Sequence, residues 1–274
     1  MEIVDKILFR NYSKKILGKD ICAPIVKICN DVDEIELNDL PDRFVLKCNH
    51  GSGMNMFCED KSKFDLKKAK IILKNWLNLN YGLESFEYQY INIKRRIIAE
   101  PYLDKEIINY KFSCFNGEPK FIRVKGKING INLYNIYFIN WTSTNIELDH
   151  PNYFISNNFK KPINLEEMIY YSRKLSSNFS FVRVDFYEVK GILYLGELTF
   201  SPFNTNINYK KKELGIYNCS GYNNEGKKLY KILRSLYELK INKNRYIIYL
   251  DDMFKKDKAD ILQHLKGRFN LIIN

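Results

Sequence analysis

The sequence predicts an α+β protein in which antiparallel hairpins are joined by amphipathic helices. Three observations predict it. Runs of apolar–polar alternation at 109–124 and 181–199 are each divided by a turn dipeptide, Asn116-Gly117 and Lys190-Gly191. Segments 66–80 and 165–177 carry apolar residues at helical spacing. A further strand pair around 44–58 encloses a loop with two glycines. The 274 residues suffice for one large domain or two to three small ones, and 45% hydrophobic with 28% charged residues is a globular composition.

Each element has its own signal. Ile3, Val4, Ile7, Leu8, Tyr12, Ile16 and Leu17 fall on one helical face over 3–17, and Gly18 ends that helix. A short strand at 23–29 leads into an acidic connector, 31–42. The strand 44–48 contains Lys47 and runs into Asn49, His50, Gly51, Ser52 and Gly53, then a second strand at 54–58. Glycines let backbone N–H groups turn toward an anion, and Lys47 reaches the same place. An ordinary glycine hairpin with a solvated lysine fits the same residues. The spacing is not that of a Walker loop, and no helix opens directly after it.

Asp65 caps helix 66–80, which turns Leu66, Ala69, Ile72, Leu73, Trp76 and Leu77 inward. The strand 97–103 is interrupted at Pro101, just after Glu100. A strand that stops at proline leaves free backbone groups at Tyr102 and Leu103, which a purine can use. Lys111 and Arg123 lie on the two strands of the 109–124 hairpin. Residues 125–162 read as loop-rich, with Trp141 among scattered aromatics, and Asn164 caps helix 165–177 with Leu165, Met168, Ile169 and Leu175 inward.

In the last hairpin Val182, Val184 and Phe186 point one way and Arg183, Asp185 and Tyr187 the other. Closure at 189–191 brings Glu197 to Arg183 and Asp185. Two carboxylates and a guanidinium on one sheet surface suit a magnesium–phosphate site. A cross-strand salt-bridge ladder would use the same residues. A polar loop follows at 201–208, then a basic helix at 225–239 and a strand–helix–strand pattern over 245–273.

The net charge of +12 favours polyanions: nucleic acid, nucleotides, acidic lipid headgroups or acidic polysaccharide. No RNA-binding signature or zinc-finger spacing supports nucleic acid. The six cysteines form no CxxC, and read as reduced structural thiols in a cytosolic protein. Cys48 and His50 with Cys58 make half a zinc site with no second pair. The start lacks a signal-peptide core, and no run approaches the ~20 apolar residues of a membrane span.

In order and kind these pieces resemble the ATP-grasp superfamily, and within it the TupA-like branch named for teichuronopeptide biosynthesis. The matching text is Asp5-Lys6, the blocks 40–53, 97–103 and 110–122, Tyr137 to Trp141, Arg183-Val-Asp-Phe-Tyr, and Gly196-Glu-Leu-Thr-Phe200. The resemblance covers roughly residues 1–217. It implies an ATP-grasp fold whose two α+β subdomains clamp ATP: 1–43 as helix and connector, 44–103 the small subdomain and 104–220 the large one; the tail, 221–274, is not covered and reads from its own pattern as a basic helix and an appended or truncated β-α-β-like module.

The resemblance also implies roles. Lys47 steadies the ATP phosphates with the loop Asn49, His50, Gly51, Ser52 and Gly53. Glu100, Pro101, Tyr102 and Leu103 form the adenine and ribose hinge. Lys111 is a second phosphate lysine, and Arg183 steadies the transferred phosphoryl group. Asp185 and Glu197 bind Mg2+. The superfamily's usual Glu-x-Asn is here Glu197-Leu-Thr199, so Thr199 acts as a weak ligand or Asn204 or Asn206 substitutes. The implied reaction joins a carboxylate to an amine through an acyl-phosphate, with ATP and Mg2+ as cofactors. The implied substrate is a uronic-acid-type carboxylate on an acidic cell-surface glycan, handled beside polysaccharide-assembly enzymes in the cytoplasm or at the inner face of the membrane. A non-catalytic nucleotide- or glycan-binding relative and a basic nucleic-acid binder are the alternatives.

Overall fold

A computed structural model describes residues 2–85, 87–144 and 153–200, all within the unit Met1–Gly221. The expected tail elements, the 201–208 loop, Asn204 and Asn206 lie outside these residues.

In chain order the elements are α1 (Leu8–Leu17), β1 (Lys27–Cys29), β2 (Phe44–Cys48), β3 (Asn55–Cys58), α2 (Leu66–Asn78), α3 (Tyr81–Glu84), β4 (Ile97–Pro101), β5 (Ile108–Phe115), β6 (Glu118–Ile128), β7 (Ile131–Phe138), β8 (Phe154–Ile155), α4 (Leu165–Ser176), β9 (Phe181–Val189) and β10 (Ile192–Thr199). They form two sheets. One has the order β1-β4-β2-β3, the other β10-β9-β5-β6-β7-β8. The α+β class and the main hairpins are as the sequence predicts.

Each sheet has its own core. Phe44, Leu46, Cys48, Ile97 and Ala99 of the four-stranded sheet pack with Leu73 and Leu77 of α2. Asp65 begins α2 by accepting the Lys68 N–H at 3.0 Å. The six-stranded sheet buries Phe112, Ile122, Val124, Val182, Val184 and Phe186 with Met168 and Leu175 of α4. Because side chains alternate along a strand, this burial turns Lys111, Arg123, Lys125, Arg183 and Asp185 to the opposite face.

Four expectations need correction. The helix over 3–17 is divided: a 3-10 turn at Glu2–Val4 precedes α1, because Asp5 takes the Ile7 N–H on its carboxylate at 2.8 Å and the Phe9 N–H on its carbonyl at 2.8 Å. The stretch 125–162 is not loop-rich throughout. β6 continues to Ile128, and Asn129-Gly130, with φ of 51° and 81°, turns the chain into β7. Asn164 stands at the N-cap of α4 as expected, but its side chain makes no cap bond; its amide instead donates to Glu188 Oε2 at 2.8 Å and to the Gly191 carbonyl at 3.0 Å. The Tyr102 N–H is not free at the hinge, since it donates to the Arg43 carbonyl at 3.1 Å.

One irregularity in β10 matters for the site. Leu195 opposes Phe186, but Glu197, not Gly196, opposes Asp185. This bulge inserts one residue, so Glu197 leaves the core face on which strict alternation would place it. Leu193, Leu195 and Leu198 are buried, with the extra residue falling between the last two. A Cβ on Gly196 would meet the Asp185 carbonyl oxygen and the Tyr187 ring, each at 3.2 Å. Gly196→Val is therefore expected to lower stability by about 1–3 kcal/mol, read as a shift in urea midpoint with an unchanged slope; no change would show that the bulge does not need glycine.

Candidate functional site

The open face of the six-stranded sheet is organised by register. Across β10, β9, β5 and β6 one row reads Glu197, Asp185, Lys111, Arg123. The neighbouring row reads Thr199, Arg183, Ser113. Arg183 grips Asp185 with two bonds, Nε to Oδ1 and Nη2 to Oδ2, both 2.6 Å. Lys111 donates to Asp185 Oδ2 from the next strand. The Arg183 Nη2 also donates to Thr199 Oγ1 at 3.0 Å, and the Thr199 hydroxyl donates to Glu197 Oε1 at 3.4 Å. Thr199 thus bridges the arginine and the outer carboxylate.

Burial sets the electrostatics. The Lys111, Asp185 and Arg183 side chains are 8%, 5% and 9% exposed, whereas Glu197 is 31% exposed. Burial pushes the Asp185 carboxyl up, but the Arg183 guanidinium and the Lys111 ammonium outweigh it and hold Asp185 well below the ordinary carboxylate range. Burial, with Arg183 adding to it, lowers Lys111 to about 8 against the pull of Asp185. Burial opposes the charge on Arg183, yet Asp185 keeps its pKa raised.

The facing wall comes from the four-stranded sheet and α1. Lys47 donates to Glu100 Oε2 at 2.5 Å. Lys6 donates to the Gly51 carbonyl at 2.5 Å. Between the walls lies a cleft of about 200 Å³. It brings together Lys47, Glu100, Lys111, Asp185 and Glu197, all singled out in the sequence, and adds Lys6, Arg10, Asn55, Asn109 and Tyr187. Arg183 stands behind this lining, against Asp185. Pro101, Tyr102 and Leu103 are not among the lining residues.

The glycine loop is braced from within. Asn49 is fully buried; its amide donates to Asp5 Oδ1 at 3.0 Å and to the Lys94 carbonyl at 2.9 Å, and its oxygen accepts the Arg96 N–H at 2.7 Å. His50 is also buried, with Nε2 3.1 Å from the Trp76 carbonyl, and burial lowers its pKa. These two side chains support the loop from below, while the Asn49 N–H donates to the Arg96 carbonyl at 3.1 Å and Ser52 bonds the Tyr81 hydroxyl. At Gly51 a Cβ would lie 2.3 Å from Met54 Cε and 2.6 Å from Tyr81 Cγ, and Gly53 has a φ of 77°. Both positions require glycine.

Lys6 was visible in the sequence only as part of the Asp5-Lys6 pair. Its signal is that Asp5 interrupts a helical pattern, and the break aims the next residue at Gly51, 45 positions away. Asn109 and Tyr187 follow from alternation with Lys111 and Asp185. Among the described residues, no three His, Cys, Asp or Glu side chains group as a metal site. Asp185 and Glu197, adjacent across β9 and β10, are the carboxylates of the cleft's sheet face. Glu197 is the less committed of the two, since its recorded partners, Thr199 and Arg183, both approach Oε1.

A family model described as TupA-like ATPgrasp matches residues 1–216. No curated protein matches the chain. Among solved structures, D-alanine–D-alanine ligase from Bacillus anthracis complexed with ATP shares 17% identity over 72% of this chain and 53% of its own, with a TM-score of 0.37. L-amino acid ligase from Bacillus licheniformis shares 13% over 71% and 43%, with a TM-score of 0.42. Biotin carboxylase from Campylobacter jejuni in a βγ-ATP complex shares 11% over 72% and 40%, with a TM-score of 0.43. The chain spans about half, or less, of the length of each.

The two carboxylates of the cleft's sheet face differ in what they support. Asp185→Asn leaves two buried cations without their anion and is expected to lower unfolding free energy by about 3–5 kcal/mol. Glu197→Gln, at a more exposed position whose two contacts are long, is expected to cost less than about 1 kcal/mol. Chemical denaturation of the two variants checks this; equal losses would contradict the asymmetry.

Proposed function

The chain belongs to the TupA-like ATP-grasp family, and from that premise we propose that it is an ATP-dependent carboxylate–amine ligase acting through an acyl-phosphate. The observation that carries this is the pairing of walls in one cleft: Lys47 and Lys6 on one side, Lys111, Asp185 and Glu197 on the other. Lysines without a surplus of carboxylates suit a triphosphate, and the carboxylates opposite suit its cation.

In this reading Lys47, Lys6 and the backbone N–H groups of Gly51 and Gly53 hold the phosphates. Glu100, the one hinge residue that lines the cleft, receives the nucleoside. Hard oxygen donors at Glu197, with the one remaining lone-pair direction at Asp185 Oδ1, fit Mg2+. When bound, the ion neutralises charge on the phosphoryl oxygens. A substrate carboxylate oxygen bonds to the γ-phosphorus as the bond to the bridging oxygen breaks, and ADP leaves. Lys111 and Arg183 offset the charge on the transferred group. An amine nitrogen then bonds to the acyl carbon, phosphate departs with the C–O electron pair, and the amine gives up a proton.

The family's naming context supports a sugar carboxylate of a cell-surface polysaccharide as the acyl donor, and the net charge of +12 suits an acidic one. A substrate of that kind, modified at the expense of ATP, fits a protein working in the cytoplasm near the inner face of the membrane. No helix among the described residues is long and apolar enough to cross a membrane.

At a hundredfold excess over its Kd, MgATP is expected to raise the melting temperature by about 5 °C or more. Glu197→Gln, alone or with Asp185→Asn, is expected to abolish that shift relative to the variant's own baseline. An unshifted wild-type protein at millimolar MgATP would sink the ligase reading in favour of a non-catalytic binding protein.

A further inference from the structure

We infer that Glu87, flanked by Tyr81 and Tyr90, is the subsite that receives the amine substrate as its ammonium, beyond the end of the cleft where the glycine loop faces Glu197; this rests on the ligase reading. The three residues come from the segment between α2 and β4, and none of them is part of the cleft lining. A Cβ at Gly51 would lie 2.6 Å from Tyr81 Cγ, so the Tyr81 ring closes directly on the glycine loop, and its hydroxyl bonds Ser52 of that loop. The same hydroxyl donates to Glu87 Oε1 at 3.5 Å. The Tyr81 and Tyr90 rings meet edge to face with centroids 5.4 Å apart. Tyr90 is buried with Val4, next to Asp5-Lys6, and packs with Phe200, next to Thr199. Glu87 is thus tied to the loop on one side, and its neighbour Tyr90 joins the chain at Lys6 to the end of β10.

Glu87 is half-buried and is bonded to neutral groups. Among the described residues its donors are the Tyr81 hydroxyl and the Gln89 amide, the latter 3.4 Å from Oε2, and both bonds are long. Burial first, then the charge of Glu197, pushes its carboxyl up to about 7; the Tyr81 bond and the charges of Arg183 and Lys6 oppose this only in part. Those two cations are engaged elsewhere, Arg183 with Asp185 and Lys6 with the Gly51 carbonyl. A partly desolvated carboxylate answered by neutral donors gains most from an arriving cation. Tyrosine rings beside it suit the same charge.

The chemistry says which cation. Besides MgATP, the ligase reading has two substrates of opposite charge. The acyl donor is a carboxylate, which Glu87 and Glu197 together repel. The amine arrives from water as an ammonium, which they attract. Glu87 therefore sorts the two, holding the amine at the end of the cleft where the phosphoryl group is transferred and keeping a second anion away from it.

Propylammonium, titrated calorimetrically into MgADP-saturated full-length protein, is the probe, with uncharged propanol as control. Propylammonium is expected to bind and propanol not. Glu87→Gln should weaken propylammonium about tenfold or more while leaving MgADP affinity unchanged, which also reports that the variant is folded. Glu87→Asp, which keeps the charge, should bind propylammonium more tightly than Glu87→Gln does. The inference is overturned if wild-type protein binds no propylammonium at tens of millimolar, if propanol binds equally, if Glu87→Gln leaves propylammonium unaffected or weakens MgADP equally, or if Glu87→Asp gains nothing over Glu87→Gln. Propylammonium binding that depends on Glu87 in a protein that ignores MgADP would keep the ammonium subsite and reject the ligase reading.

Discussion

The site depends on one carboxylate. Asp185 is nearly inaccessible to water, and it faces a guanidinium held by two bonds and an ammonium reaching across from β5. Removing three charges from water is costly, and the cost is offset only because one anion is shared by two cations in good geometry. With Asp185 alone the arrangement carries one net positive charge, which only the partly solvated Glu197 offsets. The nearest further anion, Glu197, lies 3.7 Å from Arg183 and is partly solvated. The facing lysine Lys47 is likewise paired, with Glu100, so the cleft presents matched charges on both walls.

Apolar packing on the other side of the sheet makes this geometry possible. Val182, Val184 and Phe186 fix the register of β9 by filling the core against α4. A slip of one residue would bury Arg183 and Asp185 in hydrocarbon. β10 reaches the same face by a different device. Its bulge at Gly196 moves Glu197 out of the core-facing phase while Leu198 resumes it. The outer edge of β10 is in turn covered where the Leu195 N–H donates to the Ile21 carbonyl at 2.9 Å. At the facing wall, Asp5 joins Asn49 and Arg96 in a buried network that holds the glycine loop. Both walls are thus built by elements whose core faces leave them little freedom.

Where alternation and turn chemistry agree, the structure was legible from sequence. The β9–β10 hairpin and its Arg183–Asp185 face follow from period-2 burial, and the β5–β6 turn follows from Asn116-Gly117, whose φ values of 48° and 81° are those such a turn needs. The same dipeptide at Asn129-Gly130 was outweighed by polar residues in β7. Asn135 is fully buried there, but its amide is satisfied by the Ser156 carbonyl at 2.9 Å and Asn157 Oδ1 at 2.8 Å. A buried, fully bonded asparagine is indistinguishable in sequence from a loop residue. The role of Lys6, the Tyr102 bond and the Asn164 side chain were not legible for one reason: their partners lie far away in sequence, or their side chains join a network instead of a local cap. Spacing alone carries no information about such contacts. The Gly196 bulge did leave a trace, in the three-residue step from Leu195 to Leu198.

The central claim is that Glu197 and Asp185 form the cation wall of a nucleotide cleft whose phosphates rest on Lys47 and Lys111. Manganese, which takes oxygen ligands much as magnesium does, makes this directly measurable by anomalous diffraction from crystals grown with MnADP. The account predicts one manganese peak at about 2.2 Å from a Glu197 oxygen, in contact with Asp185 and with phosphate oxygens, and with Lys47 and Lys111 bonded to those phosphates. A manganese ion and phosphates located away from the cleft, or bound nucleotide with Glu197 uninvolved, would contradict it.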